Sequence, residues 1–423
     1  MTTLVTGATG AVGIPLVRAL LDRGDDLRIL VRPESAVDAL PDVEIDILDG
    51  DITNRDDVME AVEGCDRVFH LAGLFKDGVE KDSVFFDVNV GGTVNVLQAA
   101  LEHDIQKLVI LSSASTIGEQ KGAIGTEETE HRGYFLSNYE RSKWEAEQFV
   151  AEYVAKGVPA VILNPSLVYG PGDSEHNGGR LASLLNGVIT ASVDAPAAYI
   201  FVEDLIKAIL AADKIGIPGQ RYLVSGTNTT RINFLRTAGA IAGVNPALRI
   251  AAPWQLKLFL QIEKVRGLFG KRAPLLTQSS VDNALHGAQY DSSKAIKHLG
   301  IEFTALEDGL DETIEWLYQE GKIDLPDAVV PVGDEEQAKC SMEEDEEEWE
   351  WVDVENDEEL PDDDDEWEWE EVAEGEDVEN QLSGSDWEWI EAEDSKSLDQ
   401  GDNSETRSAH DSDGSDQKEN QGQ

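Results

Sequence analysis

Tyr139 and Lys143 are the two residues of this chain whose types and spacing could move a proton. They stand four apart in Asn138-Tyr139-Glu140-Arg141-Ser142-Lys143. The stretch reads as the start of a helix running through Trp144 and Phe149, so both side chains leave from one face. An ammonium beside a phenol favours the phenolate by opposite-charge attraction. A phenol held in that way can exchange a proton with a carbinol or a carbonyl. Alone, the spacing also fits an amphipathic surface pair, so the rest of the chain has to decide.

A second constellation lies at the start of the chain. Residues 4–13 read LVTGATGAVG, an apolar strand followed by Gly7, Thr9, Gly10, Ala11, Val12 and Gly13, and then Ile14-Pro15-Leu16 opening a helix. In such a turn the first glycine permits the tight bend, the second lets backbone approach a pyrophosphate, and the third lets helix and strand pack closely. The helix N-terminus then presents its positive end to the phosphates. A nicotinamide dinucleotide would add positive charge beside Tyr139 and supply the redox partner for the proton transfer. The next strand, Leu27–Val31, ends without a carboxylate for the ribose hydroxyls, and Arg32 follows at once. A guanidinium there suits a 2′-phosphate, so the expected cofactor is NADP(H), with NAD(H) as the alternative.

Two further stretches join these: LVILSSASTIG at 108–118 and NPSLVYGPGD at 164–173. With the glycine turn and the Tyr139/Lys143 pair they resemble the extended short-chain dehydrogenase/reductase family, in the expected order over about residues 1–325. The resemblance implies roles position by position. Ser113 matches the serine that hydrogen-bonds the substrate oxygen, with Ser112 as the alternative. Asp51 and Ile52 match the acid and apolar residue beside the adenine, and Leu71-Ala72-Gly73 the turn beneath the ribose. His70 reads as structural. Asn89 matches a helix asparagine that holds the sheet and a proton-relay water. Pro165 and Ser166 match the segment at the nicotinamide amide, while Phe201-Val202-Glu203-Asp204 matches a structural signature. Val31-Arg32, the YERSK wording and YDSSKAIKHLG at 290–300 look most like the dihydroflavonol-reductase-like branch.

These residues need a particular scaffold. Candidate strands Leu4-Val5, Leu27–Val31, Val43–Ile47, Arg67–His70, Lys107–Leu111, Ala160–Leu163 and Tyr222–Val224 alternate with candidate helices Gly13–Arg23, Arg55–Glu63, Asp87–Glu102, Asn138–Lys156 and Val202–Ala212. That alternation predicts an α/β fold, a doubly wound parallel sheet of the Rossmann type, over residues 1–225. Residues 226–330 lose the alternation and carry helical segments Arg231–Ala242, Pro253–Leu268 and Leu306–Tyr318. With residues 166–199 they form the expected smaller, substrate-binding part. Arg180 is the only Lys or Arg between Lys156 and Lys207 and is the candidate substrate contact. A diphosphate would ordinarily want more positive charge, so the expected reaction is interconversion of a secondary alcohol and a ketone. A nucleotide-sugar epimerase or dehydratase with bound NAD is the alternative, and a non-catalytic cofactor-sensing scaffold is a third reading.

The formal charge of -53 is uneven: residues 331–423 hold 39 Asp+Glu against 4 Lys+Arg. A surface this acidic argues against nucleic acid or an anionic membrane as partner. Six of the nine tryptophans stand in three acid-flanked pairs, Trp349/Trp351, Trp367/Trp369 and Trp387/Trp389. That composition predicts a disordered tail, with the repeated pairs as docking motifs for a protein partner. Two cysteines, Cys65 and Cys340, build neither a disulfide framework nor a zinc site, and no metal site is expected. The absence of a signal-like start or a long apolar run leads to a cytoplasmic expectation. Homodimerisation through Asp87–Glu102 and Asn138–Lys156 is implied by the resemblance only.

Overall fold

The computed structural model describes residues 1–41, 43–75, 82–244, 248–269 and 277–324. The chain divides into two units, Met1–Glu344 and Asp345–Gln423, and the described residues all belong to the first. The predicted tail, residues 331–423, lies outside the described residues.

Seven parallel strands form the central sheet, in the order Arg221–Val224, Ala160–Pro165, Lys107–Leu111, Arg67–His70, Thr2–Thr6, Asp26–Val31, Asp46–Asp49. The strand Ala160–Pro165 is buried along its whole length, as expected of a parallel strand covered on both faces. One layer packs Leu16, Val17 and Leu20 of the helix Gly13–Asp22 with Leu205 and Ile209 of Val202–Ile215. The opposite layer packs Val58 and Val62 with Val96, Leu97 and Val150. This is the doubly wound α/β fold that the strand–helix alternation predicts.

Thr2–Thr6 pairs with Asp26–Val31 on one side and with Arg67–His70 on the other. Strand order therefore reverses at Thr2–Thr6. The crevice at that reversal is where such sheets bind ligands, and it brings the turn after Thr6 beside the turn after His70.

Two elements depart from the sequence expectation. The third strand is Asp46–Asp49 rather than Val43–Ile47, because its register is set by Arg28–Val31 across the sheet edge, and Val43 and Ile47 are exposed. The helix expected over 87–102 starts at Ser83 and contains a π turn at Asp87–Gly91. By length and composition Ser83–Glu102 could cross a membrane. In this fold it buries Asn89, Thr93, Val96, Leu97, Ala99 and Ala100.

A second, smaller layer joins the two stretches assigned to the substrate part. The strands Leu167–Tyr169, Pro196–Phe201 and Thr227–Thr230 form a sheet. Its apolar cluster combines Tyr169, Tyr199 and Phe201 with Leu181, Phe234, Leu310 and Ile314, from the helices Asn177–Leu185, Arg231–Ile241 and Leu306–Gln319.

Candidate active site

The glycine turn has the three properties that its spacing predicts. Gly7 has φ +75, and a Cβ on it would stand 2.6 Å from the Ala72 amide nitrogen. A Cβ on Gly13 would stand 2.1 Å from the Gly7 carbonyl oxygen, so the helix lies hard against the turn. Gly10 has only the Gly7 carbonyl near it, at 3.5 Å, and this leaves an open approach. Val12 precedes the helix and provides no side-chain cap. Ile14 and Leu16 already donate to Gly10 O at 3.0 Å and Val12 O at 3.2 Å, and Pro15 has no N–H, so the approach to this helix end is by way of the turn Thr9–Gly13.

On the other side of the reversal, the Leu71 amide donates to the Thr6 carbonyl at 3.1 Å and the Ala72 amide to Thr6 Oγ1 at 3.4 Å. A Cβ on Gly73 would meet Lys143 Nζ at 3.1 Å and Asn89 Oδ1 at 3.2 Å. Gly73 is therefore the point where the cofactor crevice and the proton-transfer residues meet. Asp51 Oδ1 accepts from the amide and hydroxyl of Thr53, each at 2.8 Å, and Ile52 packs on Gly92. Pro165 ends its strand. The Ser166 amide donates to Val224 O at 3.1 Å, while its buried hydroxyl has no partner among the described residues. An orphaned hydroxyl facing this crevice is a fitting partner for a carboxamide.

The helix Asn138–Ala155 starts at Ser137, whose side chain accepts from the Glu140 amide at 3.1 Å. This cap fixes Tyr139 and Lys143 in the first turns. Burial pushes the Tyr139 phenol up to about 12, and the Ser113 hydroxyl, within its hydrogen-bonding reach, opposes that rise. Lys143 donates from Nζ to Leu111 O at 2.9 Å. Burial pulls its ammonium down to about 8, against the nearby Glu147 carboxylate. Asn89, 1% exposed on the π turn, accepts from the Leu74 amide at 2.7 Å and donates to Ser142 Oγ at 2.9 Å. It clamps the loop after Gly73 to the tyrosine helix.

The two serines differ in their partners. Ser112 Oγ donates to Glu147 and is buried, whereas Ser113 Oγ faces Ser115 Oγ at 2.9 Å and the Tyr139 phenol. His70 is structural: its ring nitrogens meet Thr6 Oγ1 at 2.8 Å and Thr93 Oγ1 at 3.1 Å. Burial and the neighbouring Lys143 lower it to about 3.

Four residues of this region escape the sequence reading. Glu147, one turn beyond Lys143, accepts from Thr116 Oγ1 at 2.9 Å and Asn164 Nδ2 at 2.7 Å as well as from Ser112. Thr116 and Asn164 also donate to Ser113 O, at 2.8 and 3.1 Å. Phe75 meets the Tyr139 ring edge-on at 4.8 Å, and His176 lies over Phe75 at 5.1 Å. Arg231 opens the helix Arg231–Ile241, and its buried Nε has no hydrogen-bond partner among the described residues. The Tyr-x-x-x-Lys-x-x-x-Glu spacing could have revealed Glu147; the others carry no motif.

The chain matches the NAD dependent epimerase/dehydratase family over residues 3–224. It is 31% identical to sterol demethylase protein B of Methylococcus capsulatus, across 76% of this chain and 100% of that protein. It is 30% identical to a putative dihydroflavonol 4-reductase of Synechocystis, across 75% of this chain and 95% of that protein. Among solved structures, gox2253 aligns with TM-score 0.68 at 29% identity, covering 76% of this chain and 99% of that one.

The NADP(H) expectation is corrected by these comparisons. Similar structures solved with a nicotinamide cofactor hold NAD: Bordetella bronchiseptica WbmG, TM-score 0.62 at 19% identity, covering 77% of this chain and 96% of that one, and UDP-glucuronic acid 4-epimerase of Bacillus cereus, 0.61 at 21%, covering 75% and 97%. Arg32 itself is 63% exposed with Glu34 at 3.7 Å, so an acid already stands beside the guanidinium that was read as a phosphate ligand.

Proposed function

Because the chain belongs to the NAD dependent epimerase/dehydratase family, whose members act on CH–OH groups with a nicotinamide cofactor, we propose that it oxidises a secondary carbinol with NAD, returning the electrons within the same cycle as an epimerase or dehydratase. The observation that carries this reading is the buried Tyr139 phenol within hydrogen-bonding reach of the Ser113 hydroxyl, one helical turn before the buried Lys143. When bound, NAD takes up the hydride of the carbinol carbon. Tyr139 takes the hydroxyl proton, Ser113 holds the same oxygen, and Lys143 favours the phenolate. Gly7 to Gly13 and Leu71 to Gly73 would hold the dinucleotide, with Asp51 and Ile52 at the adenine end and Pro165 and Ser166 at the carboxamide.

A second reading, an alcohol/ketone oxidoreductase of the dihydroflavonol-reductase-like branch, has its own support. The Synechocystis relative is named a reductase, and Phe75 and Phe85 place aromatic surface against Tyr139. One experiment separates the two. Purified protein is assayed for retained NAD and for conversion of UDP-glucuronic acid and UDP-glucose without added cofactor. Conversion supports the first reading; no conversion, with stoichiometric NADH consumption on a ketone panel, establishes the second. Loss of both reactions in Tyr139→Phe is expected in either case.

The acidic tryptophan pairs suit a basic partner protein. Deleting residues 334–423 should leave turnover unchanged and abolish co-purification of that partner.

A further inference from the structure

Residues 170–177 lead from the strand Leu167–Tyr169 into the helix Asn177–Leu185, and on the way they touch both sides of the cofactor crevice. On one side Gly172 has φ +93, and a Cβ on it would stand 3.6 Å from Ala11 O in the glycine turn. On the other side His176 Nε2 lies 3.3 Å from Phe75 O, in the loop after Gly73. Between these ends the segment is braced by its own bonds. The Asp173 amide donates to Gly170 O at 3.3 Å. The Asp173 carboxylate, on a residue 4% exposed, accepts from the amides of His176 and Gly178, each at 2.9 Å. The segment is thus a strap, stiff within and fastened at its ends.

The fastening at Phe75 depends on one proton. His176 Nδ1 stands 3.4 Å from Asp173 Oδ1, while Nε2 faces the Phe75 carbonyl. A carboxylate and a carbonyl only accept, and a neutral imidazole has a single N–H. Both contacts are made together only by the imidazolium, which donates from both nitrogens. The hydrogen bond to Asp173 holds His176 above its ordinary 6.5, against burial, and Phe75 O and Glu175 act in the same direction as Asp173. Asp173 and Glu175 are the charged groups that face the ring among the described residues. Beyond Phe75 stands the Tyr139 ring, edge-on at 4.8 Å, its phenol pushed up to about 12 and so uncharged where a histidine titrates. Leu74, next to Phe75, is clamped by Asn89 through its amide and its carbonyl. His176 therefore fastens the strap to a fixed point.

We propose that the His176 imidazolium is a latch that holds the strap across the crevice and Phe75 against Tyr139, and that its deprotonation frees the strap and speeds release of the nicotinamide dinucleotide. His176 is a positioning residue, acting through the strap and Phe75 and not on the reacting atoms. The latch is closed below the His176 pKa and opens as pH rises through it, because a neutral ring keeps one of its two bonds and loses the other. The proposal rests on the proposed function only for the occupant of the crevice, a nicotinamide dinucleotide.

The test is NADH release from the full-length protein, followed by stopped-flow fluorescence as excess NAD displaces it, from about pH 6 to about pH 9. No turnover is involved. Release from wild type should quicken roughly fivefold with rising pH, the scale of one lost hydrogen bond, with the midpoint of the His176 ring in an NMR titration. His176→Gln should release NADH at the high-pH rate of wild type throughout, with Tm close to wild type. Asp173→Asn should move both midpoints towards acid; should the lost cap unfold that variant, Glu175→Gln, on an exposed side chain, moves them the same way by less. Release that ignores pH in wild type, or that keeps its pH dependence in His176→Gln, overturns the latch. A lowered Tm with unchanged release in His176→Gln shows a structural histidine instead. NADH that fails to bind at all removes the occupant and the carbinol-oxidation reading with it, whereas NADH that binds with pH-independent release sinks the latch alone.

Discussion

Glu147 and Arg231 are both charged, both withdrawn from solvent, and opposite in how the fold treats them. Glu147, 6% exposed, sits under the sheet half of the site with donors from Ser112, Thr116, Asn164 and Arg221. Arg231, in the smaller layer, has a buried Nε with no hydrogen-bond partner among the described residues. A charge that the fold itself satisfies is part of the scaffold, and here it fixes Ser113 and supports Lys143. A charge that the fold leaves unsatisfied lowers stability. The hydrogen bonds around Glu147 are thus complete within the fold, whereas the Arg231 Nε is left open among the described residues.

The largest effect that could break this comparison comes from Tyr139→Phe. It should lower kcat by roughly 10²–10⁴-fold, the range for a lost general acid–base group, with NAD affinity and Tm close to wild type. Near-normal kcat would remove the proton-transfer half altogether.

Glu147→Gln comes next and should damage stability and activity together. Disturbing its donor shell should cost about 1–3 kcal/mol in denaturant unfolding. The pH dependence has a definite sign. The Lys143 ammonium is present below about 8 and lost above it, and the Glu147 charge supports it. Removing that charge moves the high-pH limb of kcat towards acid, and an unmoved limb would reduce Glu147 to a packing residue.

Glu119 offers a milder test beside Tyr290. Burial raises its carboxyl to about 7, and its Oε2 lacks a partner. A folded-state pKa above the ordinary 4.5 means the associated stability is full below 4.5 and lost as pH rises through 7. Glu119→Gln should therefore show a Tm advantage over wild type that grows between pH 5 and 8; a constant difference would contradict the assignment.

The smallest effect belongs to Arg32→Ala. With Arg32 exposed beside Glu34, the KM for NAD should stay within about twofold, as for an exposed ion pair. A large rise would reopen a cofactor role for this side chain.

Much of this protein was legible in its sequence because the governing interactions are local. The glycine turn, the strand–helix alternation and the four-residue spacing of Tyr139 and Lys143 each depend on residues within one or two turns of chain. Backbone sterics and side-chain period act at that range. The same local logic placed Asn89 on its helix, whereas the role given to Asn89 and the structural reading of His70 came from the family resemblance. It misplaced the edge strand, where Asp46–Asp49 takes its register from Arg28–Val31, and it overlooked the π turn that turns Asn89 towards Leu74 and Ser142.

Arg180 shows the limit most plainly. Read along the chain it is an isolated cation, too little for a phosphorylated ligand. Only tertiary packing sets its helix, Asn177–Leu185, in one apolar cluster with Arg231–Ile241, through Leu181 and Leu184 with Ile232 and Leu235. Electrostatic partnership depends on distance through space, and a linear order of residues holds no measure of that distance. The sequence by itself determined the fold class and the spacing of Tyr139 and Lys143; tertiary packing decided that Phe75 and Phe85 meet the Tyr139 ring and that Leu111 O receives the Lys143 ammonium.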